Sequence, residues 1–153
     1  IMALKLKCAA FGDGEEIPGK YTCDGENISP ALSWSGVPKN TNSLALIFED
    51  PDAPKKIWAH WILYNIPKDL RAIDEHISET AILLSGAIHG INDFGKFGYG
   101  GPCPPEEKHR YFLKLYALDE LMRFKPGFKR NELLEAMEGH IIEEAQVMGV
   151  YQR

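Results

Sequence analysis

The stretch Gly98–Leu118, GYGGPCPPEEKHRYFLKLYAL, constrains this chain more than any other. Its first half, Gly98-Tyr99-Gly100-Gly101-Pro102-Cys103-Pro104-Pro105, cannot form a helix. Its glycines leave the backbone free to take positive φ, and its prolines fix φ and remove N–H donors. The second half, Arg110–Leu118, is aromatic and aliphatic with a period near two, so it reads as a buried strand. At the junction stand His109, Arg110 and Tyr111, side chains that can donate hydrogen bonds. A loop rich in backbone amides that delivers a His and a Tyr to the start of a strand is one way to build a small anion pocket. The plainer alternative is a Gly/Pro turn before a core strand, capped by the same two side chains.

Elsewhere strand patterns recur with turn signals between them. Residues 2–9 alternate, and residues 11–30 form a loop with four glycines and two prolines. Ala31–Trp34, Ser43–Glu49, Trp58–Ile66, Ile82–Ile91 and Ala145–Tyr151 read as further strands, with Gly86 suggesting a bulge. Asp119–Met122 suggests one helical turn. Asn131–Glu138 carries Leu133, Leu134 and Met137 at helical spacing, and Gly139 is a natural stop. No strand–helix–strand rhythm appears, so a doubly wound sheet is disfavoured. The expected fold is mostly β, a sandwich with one or two peripheral helices, one of them C-terminal.

With 153 residues, 44% of them hydrophobic, the chain can build one core but not two ordinary domains, so a single domain over residues 1–153 is expected. The net charge of −5 is spread along the chain, with no basic run or Arg/aromatic stripe, which argues against nucleic acid as a partner. No apolar run approaches the roughly 18 residues a membrane span needs. The N-terminus lacks a signal peptide's apolar centre, so a cytoplasmic location is expected. Cys8, Cys23 and Cys103 fit no metal pattern. Buried free thiols are the favoured reading, with a Cys23–Cys103 bridge as the alternative.

Two constellations carry chemistry. In Asp50-Pro51-Asp52-Ala53-Pro54, prolines hold a post-strand segment extended and leave two carboxylates in need of partners. His60 follows between Trp58 and Trp61; alternation puts Trp58 and His60 on one face and Trp61 on the other. A His beside a Trp is most often a core residue satisfied by one hydrogen bond. The functional alternative has Asp50 accepting from one His60 nitrogen, leaving the other toward a pocket. In the second constellation, His109 and Tyr111 share a strand face behind Gly100-Gly101-Pro102, while Arg110 points away toward an acid. Imidazole and phenol donors, with loop amides, suit phosphate or carboxylate. A metal site is disfavoured, because a lone His eight positions after Asp-x-Asp is weak spacing. A hydrolase or lyase built on an Asp–His pair lacks an identifiable nucleophile: no GxSxG is present, and Ser29, Ser33, Ser35 and Ser43 have no elbow context. His76, His89 and His140 read as structural or surface residues.

The combination of Tyr21-Thr22-Cys23-Asp24-Gly25, Leu32-Ser33-Trp34-Ser35-Gly36-Val37-Pro38, Asp50-Pro51-Asp52-Ala53-Pro54, His60-Trp61, Asn92-Asp93-Phe94-Gly95, Gly98–Pro105 and His109-Arg110-Tyr111 resembles the phosphatidylethanolamine-binding protein family, in its bacterial and archaeal Raf-kinase-inhibitor-like branch. The resemblance implies a β-sandwich of one larger and one smaller sheet. It also implies a small pocket for anions such as phosphate or a phosphorylated head group. Asp50, His60, His109 and Tyr111 would line it, and Asp52 with the Gly100-Gly101-Pro102 backbone would shape it. It implies binding without catalysis and without a cofactor. A protein partner, a serine protease or a kinase, is the alternative, and pairing into a homodimer stays open. One departure stands out: Glu106-Glu107-Lys108 replaces the family's usual longer, glycine-containing loop. Two carboxylates near an anion site oppose binding unless they point into water.

Overall fold

The computed structural model describes residues 3–153, so Met2 of the expected first strand lies outside it. The strands are β1 (Lys5–Cys8), β2 (Leu32–Ser35), β3 (Ser43–Asp50), β4 (Trp58–Pro67), β5 (Ala72–Ile73), β6 (Ile88–His89), β7 (His109–Leu118) and β8 (Ile141–Tyr151). The α-helix, α1, spans Arg130–Met137 just before β8. A three-stranded sheet in the order β1-β2-β5 faces a five-stranded sheet in the order β6-β4-β3-β7-β8, and their strand pairs are antiparallel. The mostly β sandwich of a larger and a smaller sheet, with a helix near the C-terminus, is therefore what the chain forms.

The larger sheet is covered on both faces. Leu44, Leu46 and Phe48 of β3 pack toward the small sheet with Trp34, Trp61 and Leu113. Ala45 and Ile47 pack on the opposite face with Leu133 and Met137 of α1. All eight residues of β3 are buried. This double burial is why the segment reads as an unbroken apolar run rather than an alternating one.

Four expectations need correction. Ile82–Ile91 is not one strand. Gly86, at φ +96°, turns the chain so that Ile82 bridges back to Ile88, and only Ile88–His89 joins the sheet. Asp119–Met122 forms no helical turn: its backbone is drawn elsewhere, Asp119 N–H to His140 O (3.0 Å) and Met122 N–H to Asn65 Oδ1 (2.7 Å). The last strand begins at Ile141 rather than Ala145, because Ile141–Glu144 pair with β7 without an alternating burial pattern to reveal it. Finally, Cys23 and Cys103 form a disulfide, leaving Cys8 as a buried free thiol. Their loops lie side by side, tied by Cys23 N–H to Pro102 O (3.1 Å) and Tyr99 Oη–H to Tyr21 O (2.6 Å).

Strand β4 is irregular where it matters. Phe48 is opposite Trp61 and Glu49 opposite Ala59, so His60 is an extra residue in the ladder. Such a bulge re-aims a side chain. Here it puts Trp61 in the inter-sheet core beside His60's side of the strand, where simple alternation would have sent it to the other face. Among the described residues, no helix is long and apolar enough to cross a membrane.

Candidate functional site

β4, β3 and β7 are neighbours in that order and run antiparallel. The end of β3 therefore lies beside the starts of both β4 and β7. This places Asp50, Trp58, His60, His109 and Tyr111 at one end of the larger sheet, around a hollow of about 190 Å³. Ala53, Pro54, Phe94, Cys103, Pro104 and Pro105 complete its lining.

Each imidazole is anchored through Nδ1. His60 Nδ1–H donates to Gly100 O at 2.7 Å, and Gly100 N–H returns a bond to His60 O at 2.9 Å. His109 Nδ1–H donates to Asp50 Oδ2 at 2.6 Å, while Asp50 Oδ1 accepts from Asp52 N–H at 2.7 Å. Asp50 thus orients His109, not His60, correcting the expected pairing; the bulge turns His60 toward the Gly100 loop instead. Tyr111 stands between the rings, its centroid 5.3 Å from His60 and 6.3 Å from His109. No described residue accepts a hydrogen bond from its hydroxyl. Burial, helped by the charge of Asp50, pushes that hydroxyl's pKa up, so it stays a donor. Burial among aromatic rings pushes His60 the other way, below its ordinary 6.5, against the opposing pull of Gly100 O and Asp50.

The remaining expected residues serve as supports. Asp52 accepts from Arg110 through Nε (3.0 Å), Nη2 (2.8 Å) and the backbone N–H (2.8 Å). This clamp holds its carboxyl down at about 2 and engages the Arg110 guanidinium. Gly101 N–H donates to Asn27 Oδ1 (2.8 Å), and Pro102 O accepts from Cys23. The amides of Gly100 and Gly101 are therefore engaged within the protein and are not free to meet a ligand, contrary to the expectation of loop-amide donors. Glu106, Glu107 and Lys108 are exposed and do not line the hollow. No three His, Cys, Asp or Glu side chains among the described residues are grouped to hold a metal ion.

The aromatic wall was not singled out from sequence. Phe94 packs edge-on against His60 (5.3 Å) and Trp58 (5.6 Å). It is held there because Asn92 Oδ1 accepts from Phe94 N–H (2.9 Å) and Asp93 Oδ2 from Ala59 N–H (2.6 Å). The Asn-Asp-x-Gly turn is the sequence signal that could have pointed to it. His89 is structural: Nδ1–H donates to Thr80 O (2.7 Å), and Nε2 accepts from Trp61 Nε1–H (3.1 Å).

A sandwich of a larger and a smaller antiparallel sheet, with two Nδ1-anchored imidazoles and a phenol at one sheet end, defines the class of fold. The chain belongs to the phosphatidylethanolamine-binding protein family, whose model matches residues 7–152. It is 52% identical over 150 residues to a UPF0098 protein of Methanothermobacter thermautotrophicus, covering 98% of this chain and 99% of that one. A phosphatidylethanolamine-binding protein homolog from Chlamydia trachomatis superposes with a TM-score of 0.91 at 43% identity, covering 99% of this chain and 98% of that one. Escherichia coli YbcL, described as a member of the mammalian family, superposes at 0.92 with 30% identity, covering 99% of both chains. Membership supports a binding role in general.

Proposed function

We propose that this chain is a non-enzymatic, single-domain binding protein whose hollow takes a small anion, phosphate or a phosphorylated head group. The observation that carries the reading is the convergence of His60, His109 and Tyr111 on one hollow, with both rings oriented through Nδ1. Tyr111 Oη–H and an imidazolium N–H donate to anionic oxygen. The hydrolase alternative is weaker, because the lining holds no serine, threonine or free cysteine for an imidazole to activate, its one cysteine being in the disulfide.

Lys56 and Arg110 are paired with Asp93 and Asp52, so the hollow binds its anion together with a proton. Burial lowers the His60 pKa, and the Gly100 and Gly101 carbonyls, Asp50 and Asp93 oppose it, with Tyr111 packed against the ring. Affinity should therefore rise as pH falls toward the lowered His60 pKa, below 6.5. Phosphate titrations at several pH values test this. Binding by wild type that weakens strongly in His109→Ala supports the pocket; equal weak binding by both proteins removes it.

A larger partner, such as a protease or kinase, is favoured by one feature of the rim: Phe94 and Ile57 beside the hollow are 46% and 37% exposed. Inhibition of a small protease panel, lost on Phe94→Ser, would support that second reading.

A further inference from the structure

Resting on the anion reading, we infer that the hollow selects oxyanions that carry a proton of their own, hydrogen phosphate over fully ionised sulfate, because Gly100 O fixes the His60 ring with its free nitrogen as an acceptor. A carbonyl oxygen only accepts, so the 2.7 Å contact places the neutral ring's hydrogen on Nδ1. Nε2 then carries a lone pair, and no described residue donates to it.

The ring is held in this sense from several sides. Gly100 is tied back to the His60 backbone, and Gly101 is pinned by Asn27. A Cβ at Gly101 would lie 2.3 Å from Tyr21 O, so the loop has no slack to move away. Phe48, Phe94 and Tyr111 pack around the ring at centroid distances of 5.7, 5.3 and 5.3 Å. These apolar walls oppose charging the imidazole.

Across the hollow the polarity is reversed, because Tyr111 presents an unpartnered donor. No lysine or arginine lines the cavity, and the Asp50 carboxylate does. While the His60 ring is neutral, a ligand must therefore accept from Tyr111 and donate to His60. Hydrogen phosphate does both. Sulfate, of the same charge and similar size under mildly alkaline conditions, presents only acceptors and sets a lone pair against Nε2. A site built around one ligand hydrogen rejects the analogue lacking it, by roughly tenfold at least.

The test is calorimetric titration of the full chain with inorganic phosphate and with sodium sulfate at mildly alkaline pH, where both are dianions. The expected result is measurable phosphate binding and sulfate binding at least about tenfold weaker. The ratio should collapse in His60→Gln, whose amide can supply a donor near the Nε2 position. Equal or tighter sulfate binding by wild type overturns the inference while leaving the anion reading intact. No binding of either ion overturns the anion reading, and the inference with it. Nitrogen-15 shifts of the His60 ring give a readout free of ligand: protonated Nδ1 and bare Nε2 are expected, and a protonated Nε2 in the free protein at that pH overturns the inference.

Discussion

At the scale of single residues, the hollow is a set of buried polar groups whose partners are fixed. Asp50 and His109 are both nearly inaccessible and 2.6 Å apart. Asp50→Asn removes the charge but not the shape, leaving His109 without its anionic partner. We expect a loss of about 2 kcal/mol, the worth of a buried hydrogen bond to a charged acceptor, measured by urea unfolding; a change within experimental error would mean the pair contributes nothing to the fold. His60 and His89 have folded pKa values below their ordinary 6.5, mainly through burial. The unfolded chain then binds protons that the folded chain refuses. Their contribution to stability is present above 6.5 and is lost as pH falls from there toward the lowered folded values. Unfolding free energy should drop between neutral and mildly acidic pH, and His89→Gln should flatten part of that drop. A profile flat across this range would contradict the burial of both rings. The sequence displayed these residue types but not their pairings. The Asp-Pro-Asp turn and the His-Arg-Tyr block announced polar groups needing partners, and Arg110 did find an acid. Which carboxylate took which imidazole depended on the extra residue in β4, and a bulge leaves no mark on a strand whose residues are nearly all buried.

At the scale of elements, two loops shape the site. Gly101 sits where a side chain cannot, since a Cβ would meet Tyr21 O at 2.3 Å and Asn27 Oδ1 at 2.4 Å. Gly101→Ala must push the two loops apart, disturbing the Gly100 latch on His60. The expected result is lower thermal stability and weaker phosphate binding together, whereas unchanged affinity would show that the latch does not set the site. The disulfide acts on the other side of the same loop. It closes a separation of 80 residues, for which chain entropy alone suggests about 4 kcal/mol. Gly101 and Pro102 keep their hydrogen bonds to Asn27 and Cys23 without it. In Cys23→Ser, amides of the larger sheet that exchange through global unfolding should quicken together, by the factor that corresponds to losing this chain-entropy contribution. Exchange in the sheet as slow as in wild type would contradict the entropic role of the bridge. The strands with strong apolar content, β3, β4 and β7, were legible from sequence. Two-residue β5 and β6 were not, because so short an element has no period to read.

At the scale of the molecule, strand order does the assembling. His109 follows Asp50 by 59 residues, yet β4-β3-β7 adjacency brings their strand ends together beside His60. Strand adjacency is a property of the whole hydrogen-bond ladder, so no local pattern encodes it. It could be anticipated only through resemblance to a family, which also supplied the two sheets. If the hollow is one binding site made by both imidazoles, a phosphate titration of the full chain followed by NMR of the histidine ring resonances reads it directly. His60 and His109 should shift together along one saturating curve, while His76 and His140 stay still. Saturation at His140, or no movement of His60 and His109 at any phosphate concentration, would contradict it.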